Sequence, residues 1–180
     1  MIPDLLEKSK PYGIDQILPI SIDTIVVAEW VRLKCRYGCS RYNTTWCCPP
    51  ATPDPEKVRA ILKEYSQALL LVGNKTCEDF YRNNSRKRAV QMRCWKGTVA
   101  LERMLFLQGY YKAFGLVGEC CGLCKTCAYP EACRFPSEKR PSVESFGIDV
   151  FGTLRNAGTH HTLAKDTRET YAYYAIILLE

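Results

Sequence analysis

Histidine is almost absent from this chain. His160 and His161, side by side in a polar stretch after Gly158, are the only two, and their setting reads as loop surface rather than metal ligation or proton transfer. Long apolar runs are missing too: "ALLLV" and "YAYYAIILL" have the length of interior strands, far short of the roughly 18 to 20 residues that span a bilayer. There is no G-x-x-x-x-G-K and no G-x-G-x-x-G, so the common backbone cradles for nucleotide phosphates are not present. No internal repeat and no low-complexity segment marks a boundary, and residues 1–180 read as a single domain with enough length to bury a core. The opening residues "MIPDLLEKSK" carry acidic side chains where a secretion signal would carry an apolar stretch, so the chain is expected in the cytoplasm, off the membrane, with its thiols reduced.

What the chain has in abundance is cysteine. Eleven of them fall at 35, 39, 47, 48, 77, 94, 120, 121, 124, 127 and 133, as two dense groups and two singletons. An odd number in a reducing compartment argues against a disulfide framework and for metal or redox use. The composition is otherwise globular, 47% hydrophobic and 24% charged. A formal charge of +6 hints at nucleic acid, and Arg82, Arg86, Lys87, Arg88, Arg93 and Lys96 make a basic stretch. Two oxidised cubane clusters at about −2 each would bring the chain to about +2, so the basic stretch reads as a solvated or partner-facing helix surface and nucleic acid is not the expected partner.

Along the chain, strand-like and helix-like segments alternate, with the cysteine groups in the connections. Residues 24–33, "TIVVAEWVRL", predict a strand leading into Cys35. Asp54 and Pro55 predict the start of a helix over 54–65, with Val58, Ile61 and Leu62 on one face. Residues 67–73 read as a buried strand and 78–112 as a long helix, with Val90, Cys94, Leu101 and Leu105 near one stripe and Cys94 a small core residue. Residues 113–119 read as a strand delivering the chain into the second cysteine group. A helix capped by Ser142 and ending at Gly158, then a strand over 171–179, complete a βαβαβαβ pattern. The expected fold is an α/β sandwich of about four strands with helices. If the strands at 24–33 and 113–119 run side by side in the same direction, the cysteine-rich connections cluster at one edge of the sheet.

Cys121, Cys124, Cys127 and Cys133 form C-x2-C-x2-C-x5-C. The first three repeat the pitch at which bacterial ferredoxins wrap a cubane. Zinc ribbons use two C-x2-C pairs with a longer spacer, so a [4Fe–4S] cluster is favoured and zinc is the alternative. The fourth cysteine comes after five residues rather than three, and in two-cluster ferredoxins it can serve the other centre. The first group, "CRYGCSRYNTTWCCPP", offers Cys35, Cys39 and then Cys47 or Cys48. Gly38 allows a tight turn, Pro49 and Pro50 stiffen the exit, and Tyr37, Tyr42 and Trp46 either shield a cluster or merely cover the sheet edge. No fourth ligand is local: it comes from Cys120 or another distant cysteine, or one iron stays open.

These two motifs resemble a family of prokaryotic proteins of unknown function described as predicted metal-binding proteins, with an N-terminal segment ending in Cys-Pro-Pro and a C-terminal segment similar to "CGLCKTCAYPEACRFPSEKRPSVESFGIDV". The resemblance runs from about residue 25 to the C-terminus. It implies metal binding through Cys35, Cys39 and Cys48, and through Cys121, Cys124, Cys127 and Cys133, in proteins common among anaerobes, and it implies no reaction. Cys47, Cys77, Cys94 and Cys120 are extras beyond that pattern. The expectation is an iron–sulfur protein with two [4Fe–4S] clusters, transferring electrons to or from a redox partner protein. Behind it stand an enzyme with an open iron acting on a small molecule or sulfur ligand, and a zinc-binding scaffold or assembly factor. Arg134, Arg140 and Glu144 flank the second group, as anion binders or as an ion pair.

Overall fold

In the computed structural model, which describes residues 2–76, 84–159, 161, 165–166 and 169–180, strands β1 (Gln16–Ser21), β2 (Gln67–Thr76), β3 (Phe114–Leu116) and β4 (Thr170–Leu178) form one sheet. Their order is β1-β2-β4-β3, and every pairing is antiparallel. The expected α/β sandwich of about four strands is therefore present. Its helices are α1 (Ile2–Ser9), α2 (Glu29–Gly38), α3 (Pro55–Leu62), α4 (Asn84–Leu107) and α5 (Val150–Asn156).

The run "ALLLV" lies at the centre of the sheet with both faces covered, which is why it is continuous rather than alternating. Ala68, Leu70 and Val72 face one core, with Ile176 and Leu178 of β4, Val58 and Leu62 of α3, and Leu154 of α5. Leu69 and Leu71 face the other, with Ala175 and Ile177 of β4, Leu5 of α1, and Cys94, Leu101 and Leu105 of α4. Cys94 is the small core residue its place on the stripe suggests, fully buried. Helix α3 starts as expected: the Asp54 carboxylate accepts from Lys57 N–H at 2.8 Å, with Pro55 in the first turn. Helix α4 presses on the chain after α1 so closely that a Cβ on Gly97 would stand 2.5 Å from Tyr12 Cβ. The first turns expected of the long helix, residues 78–83, lie outside the described residues, as does Cys77. Among the described residues no helix is long and apolar enough to cross a membrane.

Three expectations need correction. Residues 24–33 are not a strand. Val27 makes only an isolated bridge to Ile148, and from Glu29 the chain is helical, because after Val27 only Val31 is β-branched and Glu29, Arg32, Leu33 and Lys34 are good helix formers. Cys35 and Cys39 thus leave from a helix end, and among the described residues no two strands pair in parallel. The strand at Gln16–Ser21 escapes a pattern search because Pro19 interrupts it. Its place at the sheet edge, paired on one side only, is where proline is tolerated. The stretch after Ser142 is split into a 3-10 turn at Glu144–Phe146 and α5. Ser142 Oγ accepts from Ser145 N–H at 3.0 Å, and the α5 cap is Asp149, accepting from Gly152 N–H at 2.9 Å.

Candidate thiol site

Beyond the β3 edge the chain makes a long excursion, residues 118–140, that leaves and returns at one point. Val117 N–H donates to Pro141 C=O at 3.0 Å and Val143 N–H to Val117 C=O at 2.9 Å. The return is clamped by Arg140, whose guanidinium makes a two-pronged pair with Glu102 of α4, at 2.7 and 2.6 Å. Glu102 also accepts from Gly115 N–H of β3 at 2.8 Å. Both side chains are largely but not fully buried, at 16% and 12% exposure. Arg140 is thus paired, with Glu102 rather than Glu144, and Arg134 donates to Thr126 C=O at 3.0 Å.

The segment after α2 folds onto this excursion. Trp46 Nε1–H donates to Glu131 C=O at 2.7 Å, its ring meets Tyr129 edge to face at 5.0 Å, and Tyr129 O–H donates to Asn43 at 3.1 Å. From α4, Trp95 Nε1–H donates to Glu138 C=O at 3.0 Å, Arg88 to Gly122 C=O at 2.9 Å, and Gln91 to Cys120 C=O. Glu119 takes a left-handed conformation, φ +64°, just before the cysteine pair, and accepts from Tyr171 O–H at 2.6 Å. The two cysteine-rich connections therefore meet at one edge of the sheet, though by a helix end and a strand end. Trp46 spans the join, while Tyr37 is 77% exposed and shields nothing.

Neighbouring cysteines turn opposite ways. Cys47 lies on Trp95 and Val117, with Cys121 and Leu123 against it. Together with Cys124, Cys127 and Cys133, these thiols line a narrow cleft. Cys48 does not line that cleft and is within electrostatic reach of Cys120, Cys39 and Cys35 instead. Burial pushes its thiol up to about 11, with those three neighbours adding to the rise and the Thr45 hydroxyl opposing it. Burial likewise raises Cys35 against the pull of Arg32, and Cys120 against the pull of Arg41. Spacing left Cys47 and Cys48 as alternatives for one position. The structure gives them to different groups, a separation that only the tertiary packing reveals.

Within the cleft, Cys47 and Cys121 are packed together beside Trp95 and Val117. The neighbouring Cys47 thiol is the largest influence holding Cys121 at about 7, helped by Leu123 N–H, Arg41 and Arg88 and opposed by burial. The proximity of Cys121 and burial drive Cys47 far up. Cys47 is 4% exposed and Cys121 partly exposed. A thiolate with a buried thiol beside it is an arrangement suited to nucleophilic sulfur chemistry.

A family model described as predicted metal-binding protein (DUF2284) matches residues 18–179, and the chain belongs to that family. No curated protein and no solved structure matches it. Metal is what the family description implies, and the residues present do not fit one. Among the described residues, no group of three or more Cys, His, Asp or Glu is placed to hold a metal ion. The cleft beside Cys121, Cys124, Cys127 and Cys133 has a volume of about 10 Å³, room for about one water and not for the iron–sulfur core of a cubane. Cys121 is engaged by Cys47, a cysteine that the ferredoxin-like spacing does not include. These findings overturn the two expected [4Fe–4S] clusters, the zinc alternative, and the iron–sulfur electron-transfer function built on them.

Proposed function

With family membership as the premise, we propose that this chain is a dithiol protein that exchanges electrons with a disulfide through Cys121 and Cys47. The observation that carries this reading is the packing of Cys47 and Cys121, 74 positions apart in sequence, along one cleft, brought together by the two connections that Trp46 joins. Cys121 attacks one sulfur of an exposed disulfide on a partner protein. A bond forms from Cys121 Sγ to that sulfur, the partner's S–S bond breaks, and the second partner sulfur leaves as a thiol after taking up a proton. Cys47 then gives up its proton and attacks Cys121 Sγ, forming the Cys47–Cys121 disulfide and releasing the first partner sulfur as a thiol. Two thiols of the chain are oxidised and one disulfide is reduced to two thiols, with the two protons transferred. A dithiol reductant returns the chain to its starting state by the reverse sequence.

The roles follow from position. Cys121 is the more accessible member and its surroundings favour its thiolate; Cys47 is buried and placed to resolve the mixed disulfide. Arg41 lines the cleft and favours negative charge as it moves between the sulfurs. Incubation of the Cys47→Ser variant with oxidised glutathione tests the scheme. The expected product is a stable glutathione adduct on Cys121, absent from the unaltered protein because Cys47 removes it. No adduct on Cys121 in the variant, or equal adduct in both proteins, would overturn the proposal.

A further inference from the structure

Away from the thiol pair, a cavity of about 420 Å³ opens between α2, α5 and the start of β4. We propose that it is a binding site for a flat organic cation of the amidine or guanidine type, held by the Glu144 carboxylate and sandwiched by aromatic side chains. Its size falls in the range of ordinary small-molecule sites. Trp30, Phe151, Tyr171 and Tyr174 supply ring surface on several sides. Trp30 already engages a cation, with Lys34 Nζ 5.1 Å from its ring centre, as expected of an electron-rich indole face.

Two polar atoms of lining residues have nothing to bond to. Glu144 Oε2 and His161 Nε2 are both closed off from solvent and lack any hydrogen-bond partner. The rest of the histidine is committed: Nδ1 lies 2.5 Å from Tyr174 Oη and the ring stacks on Phe151 at 4.6 Å. Leaving a buried carboxylate oxygen unpaired costs about 1–3 kcal/mol or more, and Glu144, which lines the cavity and is only partly buried, is the group to which a ligand's N–H donors would be offered. The charges of the lining select the sign. Glu144 and Asp149 stand against Lys34, and Asp149 is occupied in capping α5, which leaves Glu144 as the group that calls for a counter-charge. A neutral apolar ligand would bury the carboxylate without a partner, and an anion would face it directly. An amidinium or guanidinium presents paired N–H donors in the geometry that a carboxylate accepts.

The cavity contains neither Cys47 nor Cys121, so this site and the dithiol proposal stand or fall separately. The test is calorimetric titration of the full chain with 2-naphthamidine and with 2-naphthoate, which share a ring system and differ in the sign of their charge. The expected result is saturable binding of naphthamidine, at least about tenfold tighter than naphthoate. The Glu144→Gln variant is expected to lose that preference. The Phe151→Ala variant, altered at the cavity rim, is expected to bind naphthamidine more weakly while keeping it. Equal affinity for the two probes, no saturable binding of naphthamidine, or a preference that survives Glu144→Gln would overturn the proposal. The two-probe comparison on the unaltered protein decides the matter even if Glu144→Gln fails to fold.

Discussion

Replacing Cys47 by alanine removes the neighbouring thiol that most strongly favours the Cys121 thiolate, and its effect can be worked out in advance. Cys121 is lowered from the ordinary 9.0 to about 7. At pH 7 a thiol at about 7 is about half ionised and one at about 9 only about one part in a hundred, a roughly 50-fold loss of nucleophile. The more basic thiolate is intrinsically faster: with a Brønsted slope of about 0.4–0.5, two pH units return roughly eightfold. The net change at pH 7 is a roughly sixfold slower reaction of Cys121, an upper limit because Leu123 N–H, Arg41 and Arg88 remain in place. At pH 10, where both thiols are largely ionised, the order inverts and the variant reacts up to roughly sevenfold faster. The two profiles cross near about pH 8. Iodoacetamide labelling of Cys121, followed peptide by peptide in the mass spectrometer from pH 6 to 10, reads both limbs. A common midpoint in the two proteins, with no crossing, would refute the role given to Cys47. The crossing matters because a simple gain in access would speed the variant at every pH.

Other consequences concern the scaffold and the second cavity. Arg140→Ala leaves Glu102 buried without its partner and releases the base of the 118–140 excursion. Urea unfolding should show a loss of about 3–5 kcal/mol, and a loss below about 1 kcal/mol would mean that the clamp does not hold the excursion. Gly97→Ala sets a helix-propensity gain of about 1 kcal/mol against a Cβ that would stand 2.5 Å from Tyr12 Cβ. Overpacking costs about 1–3 kcal/mol, so a net loss is expected on thermal melting, and a gain would show that α1 and its turn yield freely. Burial raises Glu144 above the usual carboxylate range. A carboxyl raised in the folded state favours folding while protonated and loses that advantage as pH rises through its folded value. Glu144→Gln should therefore gain stability relative to the unaltered protein as pH rises above about 5 and show the smallest difference in acid. A difference that does not vary with pH would contradict the buried carboxyl.

Much of the scaffold is legible in the sequence because its signals are local. The continuous apolar run at 68–72, the Asp54-Pro55 start of α3 and the stripe through Cys94, Leu101 and Leu105 each depend on neighbours within a few turns. The failures come where tertiary context overrules local preference. Pro19 hides a strand that exists because it sits at an edge, and three β-branched residues at 25–27 look like a strand although among the described residues Val27 finds only an isolated bridge to Ile148. At the site, spacing drew attention to the two cysteine-rich segments, and placed the connections at one edge of the sheet. It misassigned the chemistry because C-x2-C-x2-C describes what a loop can wrap, whereas the thiol that Cys121 meets is set by how a segment from 74 residues earlier folds over it. No sequence signal joins Cys47 to Cys121, or Glu144 to His161 and the aromatic cavity. Glu144 carried one hint, since its place beside Arg140 suggested a pair, and the arginine is instead taken by Glu102.

The central claim is that Cys47 and Cys121 act as one exchange pair. Peptide mapping of the full chain under non-reducing conditions, after brief oxidation with substoichiometric oxidised glutathione, tests it most directly. The account predicts that the first disulfide to accumulate joins Cys47 to Cys121. Finding those two cysteines still reduced while others oxidise, or Cys121 joined first to Cys124, Cys127 or Cys133, would contradict it.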